Sequence, residues 1–287
     1  MAGKLKKKEE PWGVVRGLED LEYFARPALS SGGTKCLLRS PAHYWAQHLD
    51  PNREQKVTPA LILGSAIHTV VLEPDTWKDR YLVAPENMDR RSKAGKDTWK
   101  ALSEDAEDSG KVVLKWEEAE TALKVQAAVR AHPLAVALFS EGEAESSVFW
   151  KDPETQATCK ARPDWMRQDG VMVDLKSCIS SHPETFSKQA FNLGYYIQAA
   201  WYSAGWQVAT GQEVTAFMFV AVEKTPPYGV SVFDVGPEYL ELGRVATRKA
   251  LDLYVDCQRT GQWPGYPRDI QTLEAPPWAL KSKEQNK

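Results

Sequence analysis

The sequence predicts an α/β fold, a mixed β-sheet flanked by helices in a single domain, and three observations predict it. Helical segments come first along the chain, among them the apolar Leu61 to Leu72 and an amphipathic stretch near 117–131. Segments of strand composition follow at about 146–151, 157–164, 171–176, 215–222 and 230–235. Between the third and fourth of these lies a helix-length stretch, about 193–208, long enough to cross over the sheet.

Taken in order, the polar and basic residues 1–10 read as a flexible terminus, 11–265 as the folded domain and 266–287 as a Pro-rich polar tail. Ser30-Ser31 before Gly32-Gly33-Thr34 supplies a helix cap and N–H groups able to bind a phosphate. Leu61 to Leu72 is apolar and of helical length, with one imidazole, His68, inside it. Arg90-Arg91-Ser92-Lys93-Ala94-Gly95-Lys96 reads as a mobile basic loop between elements. An amphipathic helix near 117–131 is ended by His132-Pro133. Thr225-Pro226-Pro227-Tyr228-Gly229 is a turn between the last two strands, and a final helix spans roughly 237–259.

At 287 residues with 43% hydrophobic and 10% aromatic content, the chain can bury a sizeable core. No apolar run reaches bilayer length, and the basic stretch Gly3 to Lys8 lacks the apolar segment of a secretory leader, so the expected location is the cytoplasm. The four cysteines, Cys36, Cys159, Cys178 and Cys257, are far apart, which excludes a Cys-x-x-Cys zinc site. Net charge is −3, yet acidic residues concentrate in stretches such as Glu104 to Asp108, leaving Arg90, Arg91, Lys93 and Lys96 as a separate basic cluster for phosphate contact.

The chemistry concentrates in Arg162-Pro163-Asp164-Trp165, followed by Val171-Met172-Val173-Asp174-Leu175-Lys176. Alternation along a strand puts Asp174 and Lys176 on one face and Val173 and Leu175 on the other. A hard cation such as Mg2+ takes carboxylate and carbonyl oxygens, and one shared by Asp164 and Asp174 can also take the Leu175 carbonyl. An ammonium beside it steadies a water and the charge on a phosphate under attack.

Pro163-Asp164 with Asp174-Leu175-Lys176 resembles the PD-(D/E)xK nuclease signature, and the likeness is closest to the RecE and phage lambda exonuclease group, from about Ser30 to about Val235. Gly64 and His68 are similar to the Gly-x-x-x-His motif of that group, which implies that His68 is a metal ligand and admits Mn2+ as well as Mg2+. Glu145, ahead of the strand leading to Pro163-Asp164, resembles a glutamate of the lambda-type pattern and stands either as a second-metal or water-positioning group or as a surface residue. Gln198 and Tyr202 resemble a Gln-x-x-x-Tyr motif that implies hydrogen bonds to the DNA backbone. Ser30, Ser31 and Arg39, in the segment leading to Arg39-Ser40-Pro41, resemble the region that holds a terminal 5′-phosphate, and Arg162 joins Arg90, Arg91, Lys93 and Lys96 among the expected DNA contacts.

The resemblance implies a single-domain PD-(D/E)xK restriction-endonuclease-like fold. It also implies a Mg2+-dependent 5′→3′ exonuclease acting on linear double-stranded DNA with 5′-phosphate ends. The catalytic set would be Lys176, Asp174, Asp164 and Glu145, with His68, Asp164, Asp174 and Leu175 on the metal. A ring-shaped trimer or tetramer and a single-strand annealing partner of the RecT or Red-beta type follow from the same likeness. Two other readings are a structure-specific endonuclease of the same fold and a catalytically silent DNA-binding module. The isolated cysteines disfavour branches of the superfamily that carry an iron–sulfur cluster.

Overall fold

The structure, a computed structural model, describes residues 12–54 and 57–275. The flexible terminus expected at 1–10 and the tail end from 276 onward lie outside the described residues.

Strand β1 (Gly13–Val15) opens the chain, followed by α1 (Asp20–Ala25), α2 (Ser31–Arg39) and α3 (Pro41–Tyr44), which runs into a π turn at Trp45–Leu49. Helix α4 (Pro59–Leu72) carries Pro59 at its first position, and the Thr58 hydroxyl accepts the Leu61 N–H at 3.3 Å, so cap and proline fix its start. Helix α5 (Trp77–Arg80) leads to β2 (Tyr81–Val83), α6 (Lys93–Ser109), β3 (Val112–Leu114), α7 (Trp116–Ala131) and α8 (Pro133–Leu138). Then come β4 (Gly142–Ala144), β5 (Ser147–Lys151), β6 (Thr158–Ala161), β7 (Trp165–Arg167) and β8 (Val171–Cys178). Helices α9 (Pro183–Asn192) and α10 (Tyr195–Thr210), strands β9 (Ala216–Glu223) and β10 (Val230–Asp234) and helix α11 (Pro237–Thr260) complete the chain.

The main sheet has the order β10-β9-β8-β7-β4, with β8 and β9 parallel and every other pair antiparallel, as the mixed-sheet reading expects. The parallel pair requires a crossover, and α9 with α10 supplies it. Of these two helices the sequence reading anticipated only α10. Smaller sheets β1-β5-β6 and β2-β3, the latter parallel across α6, were also not anticipated. Three-residue strands such as β2 give too short a pattern to read.

Both faces of the main sheet are covered, so Val173 and Leu175 pack with Ile67, Val70 and Val125 of α4 and α7, while Met172, Phe217 and Phe219 pack with Ala199, Trp201 and Leu251 of α10 and α11. Asp174 therefore faces protein interior and is 0% exposed, while Lys176 is partly exposed beside it. Helices α10 and α11 pack at close range because Gly243 lies against the Tyr196 carbonyl, where any Cβ would collide with backbone. No helix among the described residues is long and apolar enough to cross a membrane.

The mobile loop expected at 90–96 is corrected from Lys93 onward. Arg90 and Arg91 sit in a turn, and from Lys93 the chain is helical, the Ser92 hydroxyl accepting the Gly95 N–H at 3.0 Å. The cap and the helix-favouring residues after it outweigh the charge repulsion that suggested mobility. Its Lys93 and Lys96 occupy the first turn while Glu107 and Asp108 occupy the last, the reverse of what the helix dipole favours.

Lys160 of β6 is buried, and its ammonium donates to the carbonyls of Tyr23 at 2.8 Å, Arg26 at 2.8 Å and Phe24 at 3.4 Å, capping the end of α1. Burial, aided by nearby Arg162 and Arg26, draws it down to about 8. Lys160→Met is expected to cost roughly 2–4 kcal/mol by removing the donor shared by the Tyr23, Phe24 and Arg26 carbonyls, as urea unfolding would report. A cost near zero would mean that these contacts are dispensable.

Candidate metal and nuclease site

Strands β4-β5 and β6-β7 form one antiparallel ribbon that bends between the two sheets. The register is the same on both sides of the bend, Ala144 pairing with Trp165 and Val148 with Ala161, which sets Glu145 opposite Asp164 and Ser147 opposite Arg162. The Glu145 N–H donates to the Asp164 carbonyl at 3.1 Å, and Glu145 takes a φ of +48°, where a non-glycine residue is strained. Two carboxylates directly opposite one another destabilise a ladder unless something positive lies between them.

His68 enters from α4, its Nδ1 lying 3.5 Å from Asp164 Oδ2 and 4.0 Å from Glu145 Oε1. One ligand atom from each of His68, Glu145 and Asp164 lies within 4.8 Å of the others. The donor set suits a divalent cation, with one imidazole nitrogen and carboxylate oxygens held together at the cost of mutual repulsion. Burial first, then the Asp164 charge, pushes Glu145 well above the usual carboxylate range against the opposing pull of Arg162.

Beside this trio, Asp164 Oδ2 accepts the Leu175 N–H at 2.7 Å, which orients its carboxylate from the β8 backbone. The N–H of Leu175 thus serves Asp164, while its carbonyl is the atom expected on the metal. Asp174 lies deeper. One of its oxygens pairs with the Lys176 ammonium and the other accepts Gln198 Nε2 at 2.5 Å. Burial, then Asp164, raises Asp174 to about 6 despite the Lys176 charge. Burial works against the Lys176 ammonium, yet Asp174 and Asp164 hold it above the usual lysine value, and the Tyr195 ring lies 4.9 Å from its Nζ.

Three expected DNA contacts point elsewhere. Gln198 is 7% exposed and is the Asp174 partner, so its amide faces the carboxylate and not solvent. Tyr202, one turn on, is hydrogen-bonded to Gln198, and burial raises its hydroxyl well above the usual tyrosine value. Arg162 is also held internally, since its guanidinium binds Ser147 Oγ at 2.9 Å, the Leu18 carbonyl at 2.8 Å and the Asp20 carboxylate, and covers the Tyr23 ring. Gln198→Leu is expected to slow hydrolysis about tenfold through a misplaced Asp174 while leaving DNA affinity unchanged, because the lost bond orients a catalytic group. A fall in affinity with no change in turnover would restore Gln198 to the DNA surface.

Ser30 caps α2 by accepting the Gly33 N–H at 3.2 Å, Ser31 is buried, and Arg39 is exposed with its Nε on the Tyr266 hydroxyl at 3.2 Å. Arg90, Arg91, Lys93 and Lys96 are exposed, the Arg90 guanidinium lying 3.8 Å over the Trp99 ring. Two neighbours of the site were missed: Tyr195, within a motif read for other residues, and Lys35, whose spacing of one turn from Ser31 was the available signal.

The family described as "PDDEXK-like domain of unknown function (DUF3799)" matches residues 30–276. The chain belongs to this PDDEXK-like family. The match spans α2 through α11 and takes in Asp164, Asp174 and Lys176, so the DUF3799 fold is the one described above, a single PDDEXK-like nuclease domain. A crystal structure of a "putative exonuclease" from Eubacterium rectale superposes with a TM-score of 0.61 at 15% identity, covering 92% of this chain and 97% of that one, which shows a common fold. SSO0001 aligns at a TM-score of 0.27 and 10% identity over 72% of this chain and 79% of that one, too distant to bear on the DUF3799 site. No curated protein sequence matches significantly.

Proposed function

We propose that the protein is a Mg2+-dependent exonuclease that digests linear double-stranded DNA from 5′-phosphate ends, releasing 5′-mononucleotides and leaving 3′ single-stranded tails for recombination. The observation that carries this reading is the convergence of His68, Glu145 and Asp164 from separate elements beside the buried Asp174–Lys176 pair. The exonuclease description attached to the structural neighbour agrees with it.

A divalent ion, Mg2+ or Mn2+, held by His68, Glu145 and Asp164 with Asp174 adjacent, supplies the positive charge that a phosphodiester under attack requires. The Leu175 N–H keeps Asp164 aimed at that position. Asp174 fixes the Lys176 ammonium, which orients the attacking water and donates hydrogen bonds to the phosphate as negative charge builds on it. Ser30, Ser31 and Arg39 hold the terminal phosphate, and the exposed Arg90, Arg91, Lys93 and Lys96 contact the backbone further along the duplex. A trimeric or tetrameric ring would keep the enzyme on its substrate, and an annealing protein of the RecT or Red-beta type would take up the tails in the cytoplasm.

The test is incubation with Mg2+ and linear duplex labelled at 5′-phosphorylated ends, beside a closed circle. Release of labelled mononucleotide from the linear DNA alone is the expected result. Nicking of the circle would replace the exonuclease with an endonuclease, and binding without turnover would leave a silent DNA-binding module.

A further inference from the structure

We propose that Lys35 of α2 is a second phosphate-binding residue of the site, reaching the same phosphodiester that Lys176 faces. The inference rests on the nuclease reading above and adds to it a residue that neither the motif pattern nor the family description assigns.

The seat of Lys35 is built from three parts. Its stem crosses Gly194, where a Cβ would lie 2.9 Å from Lys35 Cδ, and Gly194 takes a φ of +66° that a larger residue adopts only with strain. Its ammonium reaches the Leu193 carbonyl at 3.4 Å, a weak contact by length, and lies 5.9 Å from the centroid of the Tyr195 ring. The same ring lies under Lys176. Two ammonium groups thus lie near one aromatic ring, and Lys35 feels the charges of both Lys176 and Asp174.

Their partners differ. The Lys176 charge is matched by Asp174, whereas among the described residues no carboxylate lies within ion-pair distance of Lys35. Burial, then the Lys176 charge, draws Lys35 down to about 8 against the pull of Asp174, as fits an ammonium short of anionic company. A half-buried cation without a counter-ion, next to a like charge, is unfavourable in the free protein. An anionic ligand in the site removes that cost, and a phosphodiester drawn to Lys176 brings its non-bridging oxygens to the gap between the two lysines.

Lys35→Met and Lys35→Arg test this in the full-length protein, with DNA binding measured against salt in Ca2+ and turnover measured in Mg2+. Lys35→Met is expected to keep or raise Tm, to weaken binding about tenfold and to lower the log–log salt slope by about one. Lys35→Arg should recover most of the affinity. The loss should be equal on 5′-phosphorylated and 5′-hydroxyl ends, because the contact is to the phosphodiester under attack. A defect confined to 5′-phosphorylated ends would move Lys35 to the terminal phosphate and overturn the proposal, as would a lowered Tm with unchanged DNA binding. Wild-type protein that neither binds nor cuts DNA would sink the nuclease reading itself, whereas an active enzyme indifferent to Lys35→Met would sink this proposal alone.

Discussion

Lys176→Met is expected to lower DNA hydrolysis by roughly 10³-fold with little change in Mg2+ binding, since the ammonium acts on water and phosphate and is not among the grouped ligands. Methionine preserves the stem that packs beside Tyr195, so the change isolates the charge. It also leaves Asp174 buried with no cation beside it, and that carboxyl should then hold its proton more tightly. The stability deficit of the variant should therefore be small at pH 5 and grow toward pH 8, where the buried group is forced to ionise or the fold to loosen. End-label release, with thermal unfolding at both pH values, checks both halves. Activity within tenfold of wild type would remove Lys176 from the chemistry.

Asp164→Asn should act in opposite directions on stability and on metal binding. In the ion-free protein Asp174 is raised to about 6 from 3.8, and Glu145 is raised in the same direction, each by burial and then by Asp164. A proton held more tightly by the folded than by the unfolded chain stabilises the fold. That contribution is complete below pH 4 or so and is lost as pH rises through about 6, on the order of 3 kcal/mol for Asp174. A divalent ion requires its carboxylate ligands deprotonated, and Glu145 holds its proton above the usual carboxylate range, so the Tm gain on adding Mg2+ should be slight at acidic pH and grow as pH rises. Asparagine still accepts from Leu175 but removes one of the facing charges. The ion-free variant should melt about 2–4 °C higher than wild type at pH 8 and show no Mg2+ shift. A lower Tm with the shift retained would separate Asp164 from the metal.

The parts of the fold legible in the sequence were those whose pattern is local. Val171 to Lys176 alternates into a doubly covered strand, Leu61 to Leu72 is a helix by its length and apolar run, and both sit where read, within a residue or two. Short elements escaped, because three residues such as Val112–Leu114 carry no period, and α9 was masked by its polar composition. At the site, Asp164, Asp174 and Lys176 were singled out because their types and spacing match a short, moderately specific pattern, and the fold brings them close together. What could not be read was direction. Arg162 and Gln198 are polar residues in suitable places, yet each spends its donors on acceptors of the protein itself, supplied by residues distant in sequence. Lys35 was hidden for the reverse reason, since a lysine on a helix looks solvated until the fold places Gly194 and Tyr195 beside it.

The bent ribbon that carries Glu145 and Asp164 has an evolutionary consequence. Its far end, the turn between Asp152 and Ala157, lies beyond the bend, so residues can be added or lost there without changing the gap between the acids. A single residue inserted into one leg between the bend and the main sheet would instead rotate one acid to the opposite side of the ribbon. Descendants of this chain are therefore free to vary loop length at one end and are held to strict residue count at the other.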